Sequence, residues 1–447
     1  MVNRLIIYLF DKTTKHNKIL RPIVNILPRS LRNKLKELRE NSYIEHLKTT
    51  NILNESKGRL IYRNGKYQNH SIDEQLAKGV NIIGPVTLKT GIGEHLRLVA
   101  QAFRDQEINL SINNYDVGAL HNNDDLTLNE FVRDNNIYNT NVFCLMSDKL
   151  LEFAQKENVK LFKGRYNIHY GAWELPNYPD QWLHLMNLVD EVWAISKFMQ
   201  ESISEKSSVP VIHRPLPVEF VVPIKFKRKY YNLPQDRFLF IFSFDMASSI
   251  YRKNPFAVIE AFKKSFKKGN KDVGLVIKVN KTESVKQQRE EFKKLSLLVK
   301  DYSNVFFIDR ILAREEMLGL INVCNAYVSL HRSEGFGLGM AEAMKMGKPV
   351  IATNYSGNTD FMNKNNSFLV DYILVPVKKG EYIYGEGQVW AEPDIEHAAY
   401  YMRKLFEDRE HASSLGVAAK KHIDENYNFK VIGEKYKKRL KLVGVID

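Results

Sequence analysis

The stretch HRSEGFGLGMAEAMKMGKPVIATNYSGN, residues 331–358, decides how the rest of the chain reads. Two glutamates, Glu334 and Glu342, stand eight positions apart around a Gly-Phe-Gly turn. The run NAYVSLH (325–331) before them has the length and residue types of a strand, and GKPVIAT (347–353) after them reads as a second short buried strand. Ala341, Glu342, Ala343 and Met344 are good helix formers, so the spacing predicts a helix from near Leu338. Gly335, Gly337 and Gly339 let the backbone turn tightly and come close to a ligand. A strand that feeds a glycine turn and then a helix aims the helix N-terminus out of the strand's carboxyl end. Unsatisfied N–H groups and partial positive charge make that end a seat for phosphate or sugar oxygens. Glu334 falls at the mouth of this seat. Glu342 lies about one turn into the helix, on the side of Leu338 and Met346, where a carboxylate can accept two hydroxyls of a ribose or sugar ring. By spacing alone the pair also fits two ordinary surface glutamates beside a turn.

Working outward, the same strand–turn–helix rhythm recurs along the chain. VNIIGPV (80–86) precedes TGIGEHLRLVAQAFRDQ (90–106), a Gly-rich turn that opens an amphipathic helix with Leu96, Val99, Ala100 and Phe103 on one stripe. Further strands are expected at 108–115, 140–146, 165–173, 190–196 and 209–215, with helices such as 181–189 and 197–206 between them. Pro215, Pro217, Pro223 and Pro234 then surround the basic patch KFKRKYY, which reads as an interdomain connection. A second series follows: strands at 237–244, 273–280, 304–309, 325–331 and 347–353, and helices from Asn254, at 283–300 and at 313–323. Residues 394–441 read as entirely helical. Alternation of this kind implies parallel sheets covered by helices on both faces. The expected fold class is therefore α/β, with two Rossmann-like doubly wound domains facing each other across a cleft and ligand at the carboxyl ends of the strands. The expected divisions are a basic N-terminal extension (1–79), an N-terminal Rossmann-like domain (80–220), a C-terminal Rossmann-like domain (235–410), and C-terminal helices (411–447) that cross back to the first domain.

The bulk composition narrows the function classes. The chain has 447 residues, 44% hydrophobic and 26% charged, which is a globular composition. No apolar run approaches the ~20 residues of a membrane-spanning helix, and the N-terminal LIIYLF lacks the features of a secretory signal. The two cysteines, Cys144 and Cys324, form no C-x-x-C or Cys/His cluster, so neither zinc nor a disulfide framework is indicated. A reducing, cytoplasmic setting is expected. The net charge is +14, and residues 1–40 supply half of it, with ten Lys/Arg against three Asp/Glu. Such a segment fits an anionic membrane surface on the inner face of the plasma membrane. It also fits a solvated extension or non-specific contact with nucleic acid. No nucleic-acid-binding module supports the last, so no specific nucleic acid is expected as a partner.

The quoted stretch resembles the retaining glycosyltransferases of family 4, which have the two-domain GT-B fold. Their signature of Glu, seven residues, Glu stands here as Glu334-Gly335-Phe336-Gly337-Leu338 through Glu342-Ala343-Met344 and on into Gly347-Lys348-Pro349-Val350-Ile351-Ala352-Thr353. The resemblance implies that Glu334, Gly335, Phe336, Gly337 and Leu338 meet the donor sugar and that Glu342 holds the ribose. It extends to FSFDMASSIYRKNPFAVIEAF (242–262), where family members carry an Arg and a Lys about five residues apart to neutralise the diphosphate. Lys253 matches the lysine. The earlier arginine has no match, Ser248 being nearest to its place, and Arg252 is the substitute at hand. KTGIGEHLRL is similar to the family's Gly-rich turn, which makes Gly91 and Gly93 donor-binding candidates, with Arg97 one turn later. YNIHYGAWELPNYPDQW (166–182) resembles a sub-branch with a WELP motif. Glu174 there is a candidate acceptor-binding or base residue, and His169 reads as a structural strand residue. YSGNTDFM (355–362) and YGEGQVWAEPD (384–394) also fit the sub-branch, the latter with no chemical role evident.

The resemblance implies transfer of a hexosyl group, with mannose a plausible donor sugar, from a UDP- or GDP-linked donor to a saccharide or lipid-linked acceptor, with the anomeric configuration retained. The setting it implies is bacterial envelope polysaccharide or lipopolysaccharide assembly. No D-x-D triplet occurs, so no metal or other cofactor is expected. Lys253, Arg252 and helix N-termini would carry the leaving-group charge. The catalytic set is then Glu334, Lys253 and Glu174. The alternatives are another GT-B class, such as a sugar phosphorylase or nucleotide-sugar epimerase, and a degenerate GT-B subunit that binds or scaffolds without catalysis.

Overall fold

The computed structural model describes Leu27 and residues 29–49, 60–63, 66–69, 72–117, 124–157, 161–280 and 286–447. Most of the segment expected at a membrane surface, residues 1–26 and 28, lies outside the described residues. The chain divides into two compact units. Of the described residues, one holds those of 32–217 and 427–447, the other those of 218–426 with Leu27 and residues 29–31. The boundary falls at Pro217, inside the proline-rich stretch. The helix through Asn426 is counted with the second unit, and the first unit resumes at Tyr427.

The helix α1 (Arg29–Thr49), counted with the first unit from Arg32 on, is followed by the hairpin of β1 (Leu60–Arg63) and β2 (Lys66–Asn69). Then come β3 (Ala77–Gly84), α2 (Gly91–Asp105), β4 (Leu110–Asn114), β5 (Tyr138–Phe143), α3 (Ser147–Glu157), β6 (Tyr166–His169), β7 (Glu191–Ala194), α4 (Lys197–Ser204) and β8 (Val211–His213). Strands β3 to β8 form one parallel sheet in the order β4-β3-β5-β6-β7-β8. The stripe predicted on α2 is the buried one, and Leu96, Val99, Ala100 and Phe103 are wholly inaccessible. The segment expected as a helix over 181–189 forms 3₁₀ turns over Asp180–Asn187.

One feature of this sheet opposes residue preference. Asn81, Asn141 and Asn167 occupy paired positions on β3, β5 and β6 and are all buried, although asparagine is disfavoured in strands. They satisfy one another: Asn81 Nδ2 donates to Asn141 Oδ1 at 3.0 Å, and Asn141 Nδ2 to Asn167 Oδ1 at 2.9 Å. Ser111 Oγ donates to Asn81 Oδ1 at 2.9 Å. A one-residue slip would break every link, so the ladder pins the register.

The second unit runs β9 (Phe238–Asp245), α5 (Ile250–Lys253), α6 (Pro255–Ser265), β10 (Val273–Asn280), α7 (Lys286–Leu297), β11 (Val305–Asp309), α8 (Arg314–Val323), β12 (Ala326–Ser329), α9 (Leu338–Lys345), β13 (Val350–Thr353), β14 (Phe368–Val370), the antiparallel pair β15 (Tyr372–Pro376) and β16 (Val389–Pro393), α10 (Ile395–Glu407) and α11 (Arg409–Asn426). Its parallel sheet has the order β11-β10-β9-β12-β13-β14. Alternate residues of β9 (Phe238, Phe240, Phe242, Phe244) and β10 (Leu275, Ile277, Val279) pack with α6 and α10 in one apolar core. The opposite residues, Ser243 and Lys278 among them, face the other side. The hairpin β15–β16 is absent from the elements expected of the sequence.

The chain ends in α12 (Phe429–Leu442), which belongs to the first unit. A Cβ on Gly433 would come within 2.7 Å of Ala102 O, so glycine lets α12 lie close on α2. Tyr436 and Tyr170 share a 2.8 Å hydroxyl contact. Arg439 Nε and Nη2 donate to Glu191 Oε2 at 2.8 and 2.5 Å, and Trp193 Nε1 donates to Glu191 Oε1 at 2.6 Å.

Candidate active site

The site of the second unit is built from turns at the carboxyl ends of β9 and β12, neighbouring strands in the sheet. After β9 come a 3₁₀ turn over Met246–Ser248 and the one-turn helix α5. The Asp245 carboxylate accepts from Ala247 N at 2.7 Å. Ser249, with φ 69°, and Asn254, with φ 53°, then bracket the single helical turn α5. Left-handed backbone is costly for most side chains and easiest for glycine or asparagine. Asn254 also caps α6, its Oδ1 accepting from Ala257 N at 3.4 Å, with Pro255 in the first helical position. Arg252 and Lys253 are thus held at the end of a one-turn helix.

Both cations meet Glu334. Lys253 Nζ lies 2.5 Å from Glu334 Oε1, and Arg252 Nη1 lies 3.3 Å from Oε2. They are not equivalent. Arg252 is 4% exposed, and its guanidinium also donates to Ser333 O at 2.9 Å and Ser248 O at 3.3 Å. The Lys253 side chain is 20% exposed. Arg252 is the inner brace and Lys253 the cation with an open side. Burial alone would raise the Glu334 pKa, but Lys253 and then Arg252 outweigh it and hold the carboxyl down at about 2.

The Glu334 turn is stitched from below. His331 is fully buried, and burial lowers its pKa, so the ring is neutral. Its Nε2 faces two acceptors, Asn358 Oδ1 at 3.0 Å and Tyr355 O at 3.2 Å, so Nε2 carries the proton; Nδ1 accepts from Ser329 Oγ at 3.0 Å. Glu334 N donates to Ser356 Oγ at 2.8 Å, and Gly357 N donates to Glu334 O at 2.9 Å. A Cβ on Gly357 would stand 2.2 Å from Gly335 O, so only glycine fits there. Gly337 has φ 95° and caps α9, whose first residue is Leu338 as the propensities predict. Phe336 is buried with its ring 5.2 Å from Phe361, so what it can offer a ligand is its backbone.

Glu342 is 3% exposed and pairs with Arg314 Nη1 at 2.5 Å. Sequence reasoning missed Arg314, because nothing in LAREE at the start of α8 marks it. It also missed Lys278, at the carboxyl end of β10 beside Ser243 of β9. Burial lowers the Lys278 pKa to about 8 against the pull of Asp245 and Asp309. The structure therefore brings Arg252, Lys253, Glu334, Gly335, Phe336, Gly337 and Leu338 into one locality, with Glu342 on the helix that follows.

The remaining candidates belong to the first unit. Gly91 is the first residue of α2, and a Cβ there would meet open space. Gly93 is sterically required, since a Cβ would lie 2.0 Å from Leu88 O. Arg97 is buried and committed to Val86 O (2.7 Å), Leu88 O (3.1 Å) and Glu94 (2.9 Å), so it braces the Gly-rich turn from beneath. Glu174 is half-buried on the segment after β6. His169 is fully buried in β6 with Nε2 on Leu145 O at 3.1 Å, the structural placement expected of it.

Comparison with known proteins follows this division. Residues 224–422, nearly the whole second unit, match the family model described as Glycosyl transferases group 1. No curated protein sequence matches the chain. Among solved structures, Anabaena HepE, crystallised with UDP and glucose, is similar at a TM-score of 0.58 and 13% identity, over 82% of this chain and 100% of that one. A glycosyltransferase from Rickettsia africae (TM-score 0.59, 14% identity) is similar over 82% of this chain and 99% of its own. The sucrose-phosphate synthase of Thermosynechococcus elongatus (0.59, 14%) is similar over 82% and 98%. At such identities the likeness is one of fold: the chain has the GT-B fold of two Rossmann-like domains with C-terminal helices, and its second unit matches the group 1 glycosyltransferase family.

Proposed function

We propose that the protein is a retaining glycosyltransferase. It moves a hexosyl group, with mannose the leading candidate, from a UDP- or GDP-linked donor to a saccharide or lipid-linked acceptor in cell-envelope polysaccharide synthesis. The observation that carries this reading is the Lys253–Glu334–Arg252 cluster at the strand ends, with Glu342 and Arg314 behind it. A carboxyl held near pH 2 stays an acceptor throughout the neutral range. Glu334 is thus suited to receive sugar hydroxyls and to balance positive charge developing at the anomeric carbon, and is unsuited to donate a proton. Lys253, with its open side, stabilises charge on the departing diphosphate as a fixed cation, helped by the N-terminus of α9. Glu342, oriented by Arg314, takes the ribose hydroxyls, and residues 306–312 take the base. Gly91 and Gly93 are assigned to donor binding and Glu174 to the acceptor hydroxyl. HepE, similar in fold, was crystallised with UDP and with glucose, which supports a nucleotide-sugar donor. No metal is assigned a role. Work at the cytoplasmic membrane face, through residues 1–40, is part of the proposal, and no helix of the described residues is long and apolar enough to cross a membrane.

A thermal-shift panel with UDP, GDP and ADP identifies the nucleotide, because a ligand of the folded state stabilises by RT ln(1 + [L]/Kd). With that donor, Glu334→Ala should abolish transfer while leaving nucleotide binding largely intact. Unchanged turnover in that variant sinks the assignment. Nucleotide binding without any transfer by the wild-type chain would favour the non-catalytic subunit, the reading to which the missing first arginine points.

A further inference from the structure

The hairpin β15–β16 and its connecting loop, residues 372–393, have no part in the chemistry above, yet they touch both turns of the site. Ser249 Oγ, at the start of the cation turn, donates to Glu381 O at 2.8 Å. The Arg252 guanidinium lies over the Tyr382 ring, 5.8 Å from its centroid, within cation–π range. On the other side, Ala391 N of β16 donates to Arg332 O at 3.0 Å. Arg332 sits two residues before Glu334 and is the hub of these contacts. Its backbone N donates to Arg252 O at 2.8 Å and its Nη1 to Tyr251 O at 3.0 Å. Its Nε and Nη2 hold Glu392 Oε2 at 2.6 and 2.5 Å, and its guanidinium lies 5.5 Å over the buried Trp390 ring.

We propose that the 372–393 hairpin is the positioning element of this site, with Arg332, Glu392 and Tyr382 fixing the stations of Arg252 and Lys253 relative to Glu334. The physical argument is one of degrees of freedom. The cation turn carries two left-handed residues and one helical turn closed by Lys253 N to Ser249 O and Asn254 N to Ile250 O; such bonds hold its internal shape, and contacts from outside the turn set its position against the Glu334 turn. Glu392 Oε2 takes both Nε and Nη2 of Arg332, which fixes the guanidinium plane and so the reach of Nη1 to Tyr251 O, the bond that ties the cation turn to the Glu334 turn. Tyr382 packs on the Arg252 guanidinium, while the Lys253 side chain beside it is 20% exposed. In this way one well-placed lysine does phosphate work that the resembling family shares between two spaced cations. The hairpin assists through Arg252 and Lys253 and touches no reacting atom itself.

The inference rests on the transferase reading, and its test separates the two. The full-length variants Glu392→Ala and Tyr382→Leu are titrated calorimetrically with UDP and GDP, and with uridine and guanosine, beside the conservative variants Glu392→Gln and Tyr382→Phe. Misplacing a phosphate cation by a fraction of an ångström should weaken binding of the preferred diphosphate about tenfold. Binding of the matching nucleoside should not change, and the conservative variants should stay within about threefold of wild type. Unaltered diphosphate affinity in Glu392→Ala and Tyr382→Leu overturns the positioning role. So does a parallel loss of nucleoside affinity, which marks a general support of the fold. If the wild-type chain binds none of UDP, GDP and ADP, the transferase reading fails and this inference with it; binding by wild type with no hairpin effect removes this inference alone.

Discussion

Glu334 and Lys253 show how much of a residue's behaviour depends on a partner far away in the chain. The two are 81 positions apart in sequence and 2.5 Å apart in space. Removing the lysine takes away the cation proposed for the leaving diphosphate, so Lys253→Ala should lower turnover roughly 10²-fold, measured at saturating donor. The same pair makes an acid-stability prediction. Glu334 titrates at about 2 in the folded chain against an ordinary value of 4.5. Between these values the unfolded chain binds more protons, so the contribution of the pair is complete above about pH 4.5 and disappears as the pH falls toward 2. Glu334→Gln should therefore be less stable than wild type at pH 7, and the gap should close on acidification. Urea midpoints measured from pH 7 down to pH 3 check this; a gap independent of pH would contradict it. Glu334, Glu342 and Lys253 could be picked out in the sequence because each lies inside a motif. Arg314 and Arg332 could not, since each acts through contacts with residues distant in the chain that no spacing encodes.

Among elements, the strands and helices with strong periodicity lie close to where the pattern put them, as with β10 at 273–280. The departures have specific causes. The Asp180–Asn187 segment is apolar at helical spacing but follows Pro179 and packs as 3₁₀ turns over buried Trp182. The β15–β16 pair escaped notice because Tyr372, Ile373 and Leu374 are exposed, so no alternation of burial marks the strand. The asparagine ladder of the first sheet runs against propensity, and only lateral pairing makes it tolerable. Asn141→Ala removes the acceptor of Asn81 and Asn136 and the donor to Asn167 and Leu161. Asn81 Nδ2 keeps Tyr138 O and Thr140 O, but Asn136 Nδ2 and Asn167 Oδ1 would lose their partners at about 1–3 kcal/mol each, so a destabilisation of about 3 kcal/mol is expected in chemical denaturation. A change under 1 kcal/mol would mean that water replaces the ladder.

For the molecule as a whole, the C-terminal helix is the informative element. Arg439 of α12 neutralises Glu191, a wholly buried carboxylate on β7, 248 positions earlier. Arg439→Leu would leave Glu191 with the Trp193 indole as its remaining partner among these contacts and a buried charge unpaired. Loss of one partner of a buried pair costs about 3–5 kcal/mol. Three of the four tryptophans, Trp173, Trp182 and Trp193, lie in the first unit, so tryptophan fluorescence should show its unfolding shifted to lower urea. The chain by itself determined the two doubly wound sheets, the turn at 334–338 and the helix after it, because periodicity and glycine placement are local properties. Tertiary structure alone decided that Arg252 is the inner brace and Lys253 the open cation, that Arg314 holds Glu342, and that a hairpin joins the two turns. Those assignments depend on which distant side chains share a low-dielectric space, and hydrogen-bond and charge pairing at that range leave no period in the sequence.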